Sequence, residues 1–461
     1  MPQLTKRGVA TLAIAPLALA LVAGLGAAGR GSVEEHDDSS HVLRYVSTIK
    51  ASTQGLPSIR APQSAAATWC GTPTQVDLAP NTVAGFPVHW MYALPSDGAD
   101  RFATYANAMQ TDAEAIDAWW RREDPSRTPR NDLTSLPCGQ QLDLTTLRMQ
   151  LPAAALAGDA RFGAIFNALA VGNFRSPFTK YVVYYDGPVT DGDICGQGGS
   201  DGSGFGLAVV YVQACAGVSA AAVAAHELLH TFGAVPNGAP HDCPEPNDGH
   251  TCDTTSDLMH PFIDRSPLES KLLDPGRDDY YGHAAGFGDS QDAPWLVQLD
   301  RQQPFTVTIA GPGAITADVP GMRCGQTCTT TWNAGTRLGL SATPGAGAKL
   351  VRWSGSCAGA GACSVTTNPG STVTALFAPL VYRLTVTVGG QGSVRSSRAG
   401  ITCRPRCSAS FPSHLPVRLA ATPAKGWKFR SWTGACRGRN RACTVPMTAA
   451  ASARAVFARV R

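Results

Sequence analysis

The residues His226-Glu227-Leu228-Leu229-His230 put two imidazoles and a carboxylate within little more than one helical turn of chain. They end an alanine-rich run, Ser219 to Ala225, that reads as a helix with Ser219 as its N-cap. Positions i and i+4 of a helix share a face, so His226 and His230 can offer two ring nitrogens to one ion, as zinc accepts them. Glu227 then sits beside the first histidine, where it can polarise a metal-bound water rather than bind the metal. Gly233 suits the left-handed residue that ends a helix and turns the chain back. The chemistry this spacing points to is metal-assisted hydrolysis.

A third ligand has to come from beyond that turn, and the stretch from His241-Asp242-Cys243 to His250-Thr251-Cys252 supplies two histidines. His241 is the first choice because it is closer to the helix, and His250 is the alternative. A disulfide between Cys243 and Cys252 would hold either one near the site. Next comes Ser256-Asp257-Leu258-Met259-His260-Pro261. With HExxH, Gly233, a later histidine and an S-x-x-M-x-P-like segment, the chain resembles the metzincin zinc metalloproteases. That resemblance implies an α+β catalytic domain, a Zn2+ ion, a protein or peptide substrate, and Met259 as the turn residue beneath the metal. One departure is plain: the family's third ligand follows the glycine by three residues, where this chain has Pro236. Residues 234–240 would then be an insertion. Farther on, Tyr280, Tyr281 and His283 lie in a polar stretch and are candidate stabilisers of an oxyanion. A hydrogen-bonded structural loop is the plainer reading of that stretch.

Several elements must position these residues. Phe86 to Tyr92 reads as a first strand, and Phe102, Ala106, Met109, Ala113, Ile116 and Trp120 recur at helical steps. Arg121 to Arg130, charged and proline-containing, reads as a surface loop. Tyr181 to Tyr185 is rich in β-formers and reads as a central strand. Asp186 to Gly206 is dense in Gly and Asp and reads as a loop whose carboxylates are candidate Ca2+ ligands, although it lacks EF-hand spacing. Leu207 to Val212 is a further strand, and under the resemblance its region provides the edge on which an extended substrate pairs. Cys195 with Cys215 and Cys70 with Cys138 are candidate bridges.

The 461 residues exceed one ordinary core, and fourteen cysteines without the paired C-x-x-C spacing of a zinc ribbon imply disulfides formed in an oxidising location. Lys6 and Arg7 precede an apolar run from Gly8 to Ala28, which reads as a cleaved secretory signal, with an uncleaved membrane anchor as the alternative. Residues 29–68 are polar and patternless, a linker or a short pro-segment. From about residue 304 the chain repeats with an offset of 79: Cys324 and Cys328 map onto Cys403 and Cys407, and Trp353 onto Trp432. Each unit alternates Val, Leu and Thr between glycine-rich turns and carries four cysteines, as in a small antiparallel β-domain with two local bridges. These units resemble the bacterial modules of the divergent internalin B-repeat type.

The expected organisation is multidomain: a signal at 1–28, a linker or pro-segment at 29–68, an α+β metzincin-like catalytic domain at 69–300, and two small all-β, disulfide-containing repeats at 304–378 and 379–461. A secreted monomeric zinc metalloendopeptidase is the reading. The alternatives are a wall-binding adhesin with a structural, four-ligand zinc, or a zinc amidase acting on cell-wall peptides. From Pro379 on there are fifteen Lys and Arg and no acidic residue, so with a chain total of +4 the preceding residues sum to −11. Such a field suits an anionic cell-surface polymer. The isolated 379–461 module is expected to bind an anionic resin and to be released by salt. Retention no stronger than that of the 304–378 module would exclude a polyanion role.

Overall fold

The run at 180–185 is apolar on both faces because both faces are covered. It is an interior strand of a seven-stranded sheet in a computed structural model that describes residues 45–51, 68–77, 84–158, 160–190, 193–284 and 286–460. The expected signal at 1–28 and most of the expected linker lie outside the described residues. The strands are β1 (Tyr45–Ala51), β2 (Val88–Leu94), β3 (Leu144–Arg148), β4 (Lys180–Tyr185), β5 (Ile194–Ser200), β6 (Gly206–Tyr211) and β7 (Phe262–Ile263), in the spatial order β7-β1-β5-β6-β4-β2-β3. The four strands β3, β2, β4 and β6 run parallel. β5 is antiparallel to β6, β1 antiparallel to β5, and β7 parallel to β1.

Three α-helices occur among the described residues: α1 (Phe102–Glu123), α2 (Arg161–Val171) and α3 (Ala220–Phe232). Side chains alternate along each strand, so one face of the sheet gives Trp90, Tyr92, Val182, Tyr184 and Val210 to the core shared with α1 and α3. The other face gives Met91, Ala93, Tyr181, Val183 and Val209 to the core shared with α2. The helical stripe anticipated on α1 is fully inward, with all six residues buried.

Three sequence expectations change. Residues 45–51, inside the expected linker, form β1, so the ordered sheet begins ahead of residue 69. The stretch at 194–200, read as loop, is β5; its glycines conceal the apolar alternation by which strands are recognised. That moves Gly206–Tyr211 from the sheet edge to its interior. Arg121–Arg130 is not a surface loop either: residues 127–129 pair with 296–298, and Arg127, Thr128 and Arg130 are buried.

All fourteen cysteines are paired. The bridges Cys70–Cys138, Cys195–Cys215 and Cys243–Cys252 are present as anticipated, and each repeat has its two local bridges. A fully bridged cysteine complement belongs to a chain that folds in an oxidising compartment. No helix among the described residues is long and apolar enough to cross a membrane. Each repeat consists of two four-stranded sheets around its own apolar core. Pairing within them is antiparallel apart from the first and last long strands, which run parallel: 302–310 with 372–379, and 381–389 with 451–459. The repetition extends to single bonds: Trp353 Nε1 donates to Gly361 O and Trp432 Nε1 to Asn440 O, both at 3.0 Å.

Arg130 and Asn333 join the first repeat to the sheet domain. Arg130 donates to Asn333 Oδ1 at 2.9 Å and to Ala84 O at 2.8 Å, and Asn333 Nδ2 donates to Leu296 O at 2.9 Å. Burial lowers the Arg130 guanidinium to about 10, so it stays charged and depends on these acceptors. Asn333→Ala leaves that cation short of a partner and is expected to cost about 1–3 kcal/mol in urea unfolding. An unchanged midpoint would mean that docking depends on other contacts.

Candidate metal centre

α3 begins and ends as its sequence anticipates. Ser219 accepts from the Ala222 amide at 3.3 Å, and Gly233 closes the helix at φ 86°, a left-handed conformation that costs glycine little. The alanines at 220–225 let the helix lie close to β5 and β6. His226 and His230, one turn apart, bring their Nε2 atoms to 3.0 Å. Two nitrogens on a tetrahedral zinc with ~2.05 Å bonds lie roughly 3.3 Å apart, so the pair is close to ligand spacing.

The third histidine of the group is His250. The ligand atoms of His226, His230 and His250 all lie within 4.8 Å of one another, and all three residues are buried. This reverses the sequence preference for His241. The loop from 241 to 252 folds back on itself, clamped by the Cys243–Cys252 bridge and by bonds from Cys243 N to His250 O (2.8 Å) and Cys252 N to His241 O (2.9 Å). The fold-back turns His250 inward and His241 outward. His241 has 43% of its side chain exposed and makes a 2.9 Å pair with Asp279, which raises its pKa.

The donor set fits a divalent ion. His226 Nδ1 donates to Leu258 O at 2.6 Å and His250 Nδ1 to Asn247 O at 3.1 Å, which leaves each Nε2 free to accept. Burial holds His226 and His230 well below the usual histidine range and His250 at about 4. All three are therefore neutral at neutral pH, the form that binds metals.

Glu227 is fully buried, and neither carboxylate oxygen has a hydrogen-bond partner. Burial drives its pKa well up, while the Ile49 backbone amide acts in the opposite direction. Two glycines of β5 make room for it. A Cβ at Gly196 would stand 2.7 Å from Glu227 Oε1, and one at Gly198 2.7 Å from Oε2. Met259 is also fully buried; its amide donates to Asp257 Oδ1 at 2.8 Å, and its carbonyl accepts from Thr251 at 3.0 Å. The turn that carries Met259 thus holds His226 through Leu258 and the His250 loop through Thr251.

The remaining site expectations are not brought together here. Tyr280 donates to Asp257 at 2.8 Å, Tyr281 to Asp124 at 3.0 Å, and His283 is bonded to Gly288 O at 3.2 Å. These bonds tie the three residues to Asp257, Asp124 and Gly288. Of the carboxylates considered for Ca2+, Asp186 is bonded to Arg101, Tyr92 and Gln213, Asp193 faces Lys50, and Asp201 accepts from Ser203. Asp191 lies outside the described residues. What sequence reasoning missed is the glycine pair at 196 and 198. Their two-residue spacing in a Gly-rich run was the available signal for a strand passing close to another backbone.

Residues 306–380 and 382–461 each match the family model described as the divergent InlB B-repeat domain. No curated protein matches the chain. Among solved structures, catalytically inactive OgpA from Akkermansia muciniphila in complex with an O-glycopeptide substrate is similar at 10% identity over 84% of this chain and 99% of that one, with a TM-score of 0.24. The major pilin protein T-13 from Streptococcus pyogenes is similar at 10% identity over 35% of this chain and 97% of that one, with a TM-score of 0.18. At these TM-scores neither bears on the site.

Titrated with Zn2+, the His250→Ala variant is expected to lose affinity by more than the roughly 10–100-fold typical of removing an outer hydrogen-bond partner. His241→Ala should bind as the wild type does. The opposite pattern would return the third position to His241.

Proposed function

We propose that the sheet domain is a secreted zinc metalloendopeptidase in which His226, His230 and His250 hold Zn2+ and Glu227 is the general base. The observation that carries this reading is a buried, partnerless carboxylate beside three neutral, converging imidazoles. The metzincin-like order of HExxH, Gly233, a later histidine and Met259 supports it, with the third-ligand role passing from His241 to His250. When bound, zinc acts as a Lewis acid toward the scissile carbonyl and the attacking water.

The chain's own residues supply the rest. Glu227 accepts a proton from the attacking water and delivers it to the leaving amine nitrogen. Leu258 O and Asn247 O keep His226 and His250 in the tautomers that offer Nε2. Met259 stays buried beneath the site as a packing element. The side of β5 opposite β6, which β1 occupies here, is the one on which an extended peptide would pair, a main-chain recognition that tolerates varied side chains.

The outward turn of His241 favours three protein ligands with a position left for water, and so a catalytic rather than a structural zinc. The second repeat, with its +15 charge, would hold the enzyme on an anionic surface.

Glu227→Ala is expected to retain about one zinc per chain and to lose peptide cleavage by about 10²–10⁴-fold. A variant that binds zinc and cleaves an unstructured protein at the wild-type rate would exclude this mechanism.

A further inference from the structure

α1 carries a second stripe beside its buried one. Tyr105, Ala108 and Asp112 recur at three- and four-residue steps, and all three line a cavity of about 180 Å³. The cavity lies between α1, the start of α3, the strands β4 to β6 and the chain at 212–218. Apart from Asp112 and its tyrosines, the wall is Ala, Val, Gly and the Cys195–Cys215 bridge. The short side chains at 214, 216, 217 and 220 leave the space unfilled.

Asp112 is the one residue of that wall that ionises as an acid near neutral pH, and no Lys, Arg or His lines the cavity. Its Oδ2 accepts from the Tyr184 hydroxyl at 2.7 Å. Arg101, whose guanidinium lies 5.8 Å from the Tyr105 ring, is held by Asp186 instead. Burial pushes the Asp112 carboxyl up to about 6, as happens to an anion desolvated without a counter-charge. The metal centre uses none of these groups, yet it is adjacent. Val223 on the cavity wall and Glu227 one turn on both cover Gly196: a Cβ there would stand 2.6 Å from Val223 Cγ1 and 2.7 Å from Glu227 Oε1.

We propose that this cavity binds a small organic ammonium ion, with Asp112 as its counter-charge and Tyr105 and Tyr184 beside it. A carboxylate without a cation gains most from a ligand that brings one, and an N–H bond between two ionised groups is stronger than a neutral one. Tyrosine rings attract the same charge. The apolar remainder of the wall accepts a short alkyl chain, and a cavity of this volume holds about six heavy atoms. Ca2+ would find a single carboxylate there, far short of the oxygens it collects. The proposal does not depend on the peptidase reading.

The test titrates the full-length chain with propylammonium and with propan-1-ol, its neutral counterpart, by ligand-observed NMR. Propylammonium is expected to bind roughly tenfold or more tightly than the alcohol. Asp112→Asn keeps an acceptor for Tyr184 and should remove that preference while leaving alcohol binding in place. Equal binding of the two probes by the wild type overturns the proposal. So does an undiminished preference in Asp112→Asn, which would place the ammonium on other carboxylates of the chain.

If Asp112→Asn does not fold, Ala108→Leu decides the matter, because it fills the cavity from α1 and keeps the carboxylate. Loss of propylammonium binding in that variant supports the site. Binding as tight as that of the wild type overturns it.

Discussion

A carboxylate buried without a hydrogen-bond partner is costly unless a cation stands next to it, and Glu227 imposes that constraint on everything around it. Burial alone pushes it toward the protonated form, in which it could not accept a proton. A divalent ion on the three histidines would reverse that preference, because a bound cation is the largest charge in such a site. The helix can bring the carboxylate so close to the sheet only because Gly196 and Gly198 carry no Cβ and residues 220–225 are almost all alanine.

The remaining third of the ligand set depends on irregular chain made rigid by bonding. The loop that carries His250 has little regular structure, yet the Cys243–Cys252 bridge and its backbone bonds leave it few alternatives. Beneath it, Asp274 accepts amides from Tyr280 (2.8 Å) and Tyr281 (2.7 Å), Tyr280 reaches Asp257, and Asp257 holds the Met259 amide. Burial raises Asp257 to about 7, so the network includes a carboxyl that changes charge near neutrality. Tyr280 thus braces the methionine turn through Asp257, while Tyr281 bonds Asp124 at the end of α1.

The two C-terminal repeats follow a different logic. Each is a small core closed by two short-range bridges around a buried tryptophan, Trp353 or Trp432, with Trp332 also buried in the first, which suits a unit too small to be stabilised by burial alone. The first is joined to the sheet domain through Arg130 and Asn333. The second carries the cationic surface. Architecture is therefore shared between them while charge is not.

The sequence by itself determined the local features. The i, i+4 histidines, the Ser219 and Gly233 caps, the stripe on α1 and the 79-residue repetition all follow from spacing, which is the language of helices, strands and short loops, whereas the bridges of the first domain were candidates whose pairing the fold decided. Tertiary structure decided which histidine completes the group and which strands flank the site in the sheet. His241 and His250 are equivalent as residue types, and only the fold-back of their loop turns one inward. β5 looked like loop because glycine conceals alternation, and the reason for those glycines, the carboxylate of Glu227, lies some thirty residues away in the chain. β1 looked like linker because it is a short strand set in a polar stretch, and its pairing partners at 194–200 and 262–263 are distant in the chain.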